Sequence, residues 1–136
     1  MMGLACYAVQ DFAATNEYWN KALNLLKKSK KTTALRAELL NNLGCIQYET
    51  GNETNAIKLF EDSINLQRKL VVSEVYDNGK SASQHMLMKL AITQANIAYV
   101  HLRLKNADAA ISAFERCQKV RMIFFVFIFI LKVRCQ

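Results

Sequence analysis

The chain has 136 residues, room for one domain, and its 52% hydrophobic against 21% charged content excludes disorder by composition. Four glycines and no proline exclude the turn-dense β-sandwiches and barrels, so the fold class read from composition is all-α. The net charge is +7, yet six of those charges lie in the acid-free stretch Lys21, Lys27, Lys28, Lys30, Lys31 and Arg36, and the remaining 12 basic and 11 acidic residues nearly balance. A chain-wide nucleic-acid surface is therefore disfavoured, and the patch has no interleaved aromatics to stack on bases. Cys6, Cys45, Cys117 and Cys135 form no C-x-x-C pair, which argues against a zinc or redox centre. Met1 to Gln10 lacks a secretory pattern, so a reducing, cytoplasmic setting is expected.

In chain order, the apolar spacing predicts helices near 1–9, 12–29, 33–50, 53–75, 84–104 and 107–121. Asp11, Asn52 and Asn106 each stand just before a predicted helix, where a short side chain can accept from open backbone N–H groups. Lys27 to Lys31 would close the helix over 12–29, where cations suit the last carbonyls. Asp77-Asn78-Gly79-Lys80-Ser81 is the strongest loop signal. Met122 to Leu131 reads MIFFVFIFIL, too short to span a bilayer alone and without helical alternation. This tail, 122–136, has three readings: a cap on the last hairpin, a membrane-dipping segment, or a sequence not native to the fold.

Three segments repeat one spacing. Leu43-Gly44 is followed by Gly51-Asn52, Ala56, Phe60 and Ser63; Ile97-Ala98 by Lys105-Asn106, Ala110, Phe114 and Cys117; and Met2-Gly3 by Gln10-Asp11, Thr15, Trp19 and Ala22. The small residue of the first helix lets the second lie close, with Ala or Thr facing it, while Trp19, Phe60 and Phe114 fill the gap to the next hairpin. Each hairpin then needs a neighbour to bury its apolar face.

These residues resemble the tetratricopeptide repeat, W-x2-L-G-x2-Y, then A-x3-F, then P. The middle copy has Leu40 in the Trp slot, Leu43-Gly44, Tyr48 one place past the Tyr slot and Ala56-x3-Phe60. The third keeps Ala110-x3-Phe114, with Gln94, Ala98 and His101 at the earlier slots, and the terminal Pro is missing throughout, Arg68 standing in its place in the middle copy. From Asp11 to Asn52 is 41 residues and from Asn52 to Asn106 is 54, longer than the usual 34, and Asn41-Asn42-Leu43-Gly44 is similar to the helix openings of the long-repeat variety in kinesin light chains. The resemblance implies an α-solenoid of about three helical hairpins over 1–121, a right-handed superhelix with copies near 1–30, 33–75 and 84–121. The first copy starts inside its first helix, as expected of a piece of a longer array.

No catalytic constellation is present: His85 and His101 have no Cys, Asp or Ser partner at a motif spacing, and no phosphate-cradling glycine loop occurs. The chain is read as no enzyme, with no cofactor and no metal. The resemblance implies a protein-interaction scaffold that holds a peptide or helix in a concave groove lined by the first helices. The groove residues are Glu38, Asn41, Asn42, Cys45, Tyr48 and Glu49 in the middle copy, and Ile92, Ala95, Asn96, Tyr99, Leu102 and Arg103 in the third. Asn42 and Asn96 share a slot suited to a peptide backbone, Tyr48 and Tyr99 offer flat apolar contacts, and Glu38, Glu49 and Arg103 tune charge. The clamp of cations and Asn with which some relatives grip a C-terminal carboxylate is rejected, since Ile92 and Asn96 stand where cations would be needed. The alternative function is peripheral membrane attachment through the 21–36 patch and the 122–131 tail.

Overall fold

The computed structural model describes residues 10–26, 30–76 and 83–134. All of the regular structure there is helical: α1 Phe12–Leu25, a 3-10 turn Lys30–Thr32, α2 Thr33–Glu49, α3 Glu53–Tyr76, α4 Gln84–Arg103 and α5 Ala107–Arg134. The helix expected near 1–9 and the loop signal at 77–81 lie outside the described residues. The chain divides into two compact units, Met1–Leu66 and Gln67–Gln136, each considered separately.

The joints repeat in backbone detail. Gln10, Gly51 and Lys105, each immediately before a cap residue, have φ of 59°, 79° and 57°. Asp11, Asn52 and Asn106 then accept through a side-chain oxygen from the amides of Ala14, Asn55 and Ala109, at 3.0, 3.4 and 3.2 Å. At two joints the amide of the cap residue also reaches back to the preceding helix, Asn52 to the Gln47 carbonyl at 2.7 Å and Asn106 to the His101 carbonyl at 2.9 Å. One left-handed residue thus ends one helix while its successor begins the next. Ser83 caps α4 in the same manner, accepting from the Met86 amide at 3.2 Å.

In the first unit, Trp19 of α1 packs with Leu39, Leu43 and Ile46 of α2, joined by Phe12, Ala22, Leu23 and Leu59. Trp19 therefore fills the space toward the following hairpin, as expected, but Phe60 turns inward. A Cβ placed on Gly44 would meet the Phe60 ring at 2.6 and 2.7 Å, so the ring lies flush on the bare backbone of α2 in its own hairpin. Ser63 ties the same two helices together, its hydroxyl donating to the buried Ala37 carbonyl at 2.6 Å. In the second unit Ala98, Ala110 and Ala113 are fully enclosed, and Leu87, Leu90, Ile97 and Val100 complete the apolar face of α4. Gln67 donates to the Thr93 hydroxyl at 3.1 Å, and that hydroxyl donates to the Lys89 carbonyl at 3.0 Å.

Two helix ends differ from expectation. Helix α1 stops at Leu25, with Leu26 already extended. Continuing it would have stacked Lys27 on Lys30 and Lys31 at helical spacing, a like-charge arrangement that opposes helix. Lys30 and Lys31 accordingly stand at the start of α2, not at the end of α1. Helix α5 does not end near 121 but continues to Arg134, because no Gly or Pro follows Asn106 to stop it.

Thermal denaturation with circular dichroism checks these contacts. Gly44→Ala gains up to ~1 kcal/mol of helix propensity but overpacks the Phe60 ring at ~1–3 kcal/mol, for a net loss of stability. Phe60→Ala should lose about 3–5 kcal/mol. Gly51→Ala, with nothing within 4 Å to meet, should still lose about 1 kcal/mol to its left-handed backbone.

Candidate functional site

The outward faces of α2 and α4 carry the residues singled out from the sequence. On α2, Glu38 and Glu49 are exposed and Asn41, Asn42, Cys45 and Tyr48 are half-buried. On α4, Tyr99 and Arg103 are exposed and Asn96 is half-buried, beside the exposed Ile92 and Leu102. The chemistry of the two faces diverges. Where α2 has Glu38, Asn41, Cys45, Tyr48 and Glu49, the matching positions of α4 hold Ile92, Ala95, Tyr99, Leu102 and Arg103. The α2 face is polar and acidic; that of α4 is apolar with basic flanks.

The α4 face opens onto a groove of ≈ 300 Å³ whose second wall is α5, with Met88, Ala91, Ile92 and Ala95 on one side and Cys117, Val120 and Arg121 on the other. One turn along both helices the Tyr99 and Phe114 rings meet edge to face, centroids 5.6 Å apart and planes at 88°, and close that end. Tyr99 owes its place on this face to its four-residue spacing from Ala95, and Phe114 to its four-residue spacing from Ala110. The α5 wall was not foreseen. Cys117, Val120 and Arg121 follow Phe114 at helical intervals, the one signal that could have revealed it.

Other candidates are less organised. Lys21 is paired with Glu17 on α1 and lies 5.7 Å from the Tyr18 ring centroid, so the ion pair, with the Tyr18 phenol adding to it, raises its pKa. Lys31 is exposed and Arg36 half-buried, while Lys27 and Lys28 lie outside the described residues, as does the side chain of Lys30. His85 is exposed and His101 half-buried on α4. No described helix is long and apolar enough to cross a membrane. Among the described residues no group of three His, Cys, Asp or Glu could hold a metal ion.

A family model of the tetratricopeptide repeat matches residues 1–69, and a second model of the same repeat matches residues 91–121. The chain belongs to the tetratricopeptide repeat family. Its TPR matches cover the stretch that includes the Gly44–Phe60 contact and, separately, most of the α4–α5 pair. Neither singles out the long-repeat variety of kinesin light chains. No curated protein matches the chain significantly. TPR repeats mediate protein–protein interaction, and helical repeats use their exposed helix faces for it.

Burial, and secondarily the Glu49 carboxylate, push the Cys45 thiol up from its ordinary pKa. As pH rises through the normal thiol range, about 8.5, the unfolded chain loses this proton before the folded chain does. The associated stability is therefore full below that range and falls above it. Alkylation of Cys45, followed by peptide mapping at pH 8, should be slower in the folded chain than in urea, and Cys45→Ser should flatten the alkaline fall in stability.

Proposed function

We propose that this TPR chain is a non-catalytic interaction scaffold that holds a peptide or helix segment of a partner protein on the outward faces of its first helices. The observation that carries this reading is on α4, where Met88, Ile92, Tyr99 and Leu102 are each at least 50% exposed on a helix whose opposite side is fully packed. Large apolar side chains clustered on one side of a helix mark an interaction surface, whereas single exposed ones carry no such meaning. Asn42 and Asn96 supply amides that can both donate to and accept from a peptide backbone. Asn41 extends that polar surface on α2, Tyr48 and Tyr99 add apolar contact, and Glu38, Glu49 and Arg103 set the charge each face presents. A reducing, cytoplasmic setting fits four cysteines that form no C-x-x-C pair.

The immobilised full chain should capture a partner from cell extract that the Asn42→Ala, Asn96→Ala, Tyr99→Ala triple variant fails to capture, with matching circular dichroism spectra for the two proteins. Equal recovery on both would move binding away from these faces and contradict the proposal.

A further inference from the structure

The row on α4 has a regular spacing. Met88, Ile92, Ala95, Tyr99 and Leu102 are separated by 4, 3, 4 and 3 residues, the interval at which one helix presents a continuous seam to another. Over these 15 residues the seam runs about 20 Å, roughly four helical turns. An extended strand repeats its side chains on one face every ~6.6 Å and cannot keep step with such a row, whereas a helix laid alongside can. Val120 and Cys117 of α5 provide the second wall that turns the Met88–Ala95 part of the seam into a groove, with the Tyr99–Phe114 ring pair at its end and Leu102 continuing the seam beyond.

The charge around the groove is one-sided. Helix α4 contains Lys89 and Arg103 and no acidic residue, and Arg121 of α5 lines the groove itself. From Ala107 to Met122, α5 has Asp108 and Glu115 against Arg116, Lys119 and Arg121. A second copy docked groove to groove would meet this rim with the same cations, like charge against like.

We infer that the α4–α5 groove docks an amphipathic helix of a partner protein, about four turns long, whose apolar residues repeat at 4 and 3 and are flanked by Asp or Glu. The inference rests on the reading of first-helix faces as binding faces and names the partner for one of them. Apolar knobs enter between Met88, Ile92 and Val120, and the acidic flanks lie toward Lys89, Arg103 and Arg121.

Fluorescence anisotropy on the full chain tests it with three labelled 18-residue synthetic peptides. One has Leu at 4–3 spacing with Glu flanks, the second replaces Glu by Lys, and the third shuffles the Leu positions of the first. The Glu-flanked helix should bind at least tenfold tighter than either control and weaken with added salt. Ile92→Asp, at an exposed position, should cost at least tenfold in affinity with an unchanged Tm, while Glu61→Ala, at an exposed position of α3, leaves binding intact. Equal binding of the shuffled peptide, an equally tight Lys twin, or no binding of any peptide overturns the inference. So does concentration-dependent dimerisation in sedimentation that Ile92→Asp abolishes, which would give the groove to a second copy. Failure here with the extract partner still captured removes only the helix assignment; failure of both removes the underlying reading too.

Discussion

The distance between the backbone of α2 and the ring of Phe60 governs the first unit. With no side chain on Gly44, the two helices of the hairpin close until the aromatic ring rests on the main chain, where a Cβ would come within 2.6 Å. That approach encloses Ala56 and Ser63 and lets the Ser63 hydroxyl reach a buried carbonyl that α2 leaves accessible. In the second unit Ala98, Ala110 and Ala113 permit a similarly close pairing of α4 and α5. Tight packing on one side of each first helix leaves Glu38 and Glu49 of α2, and Met88, Ile92, Tyr99 and Leu102 of α4, exposed on the other.

The joints add a second constraint that is independent of the core. A residue with positive φ followed by Asp or Asn occurs three times; at Gly51-Asn52 and Lys105-Asn106 it fixes where one helix stops and the next begins, and at Gln10-Asp11 where α1 begins. The Asp and Asn caps were legible in the sequence, because their side-chain chemistry is local. The left-handed conformation was legible only at Gly51. At Gln10 and Lys105 it is imposed on residues that do not favour it, so no composition signal marks it. Helix α1 ends early for a reason visible in the Lys27 to Lys31 charges, although their proximity to a helix end first suggested a favourable cap. The continuation of α5 reflects the lack of any stop signal, which the change of apolar pattern at Met122 obscured.

The candidate site was partly legible for the same physical reason. Helical periodicity places Ile92, Ala95, Tyr99 and Leu102 on one face from sequence alone. That the face becomes a groove depends on which residues of α5 lie beside it, and pairing between helices is set by packing rather than by local spacing. The divergence between Glu38 and Ile92, or Glu49 and Arg103, was present in the aligned copies. It acquires meaning once burial shows both sets facing outward. A shared hairpin scaffold thus carries two surfaces of different chemistry, and the apolar one is bordered by cations.

The inner side of α4 maintains the fold, and its outer side is the proposed binding face. Methyl NMR of the full chain, titrated with the Glu-flanked amphipathic peptide, separates the two most directly. The methyl signals of Met88, Ile92 and Leu102 should shift, while those of Leu43 and Ile46, both 1% exposed in the core of the first unit, stay in place. Shifts centred on Leu25 or Leu35, or none at any peptide concentration, would contradict the account.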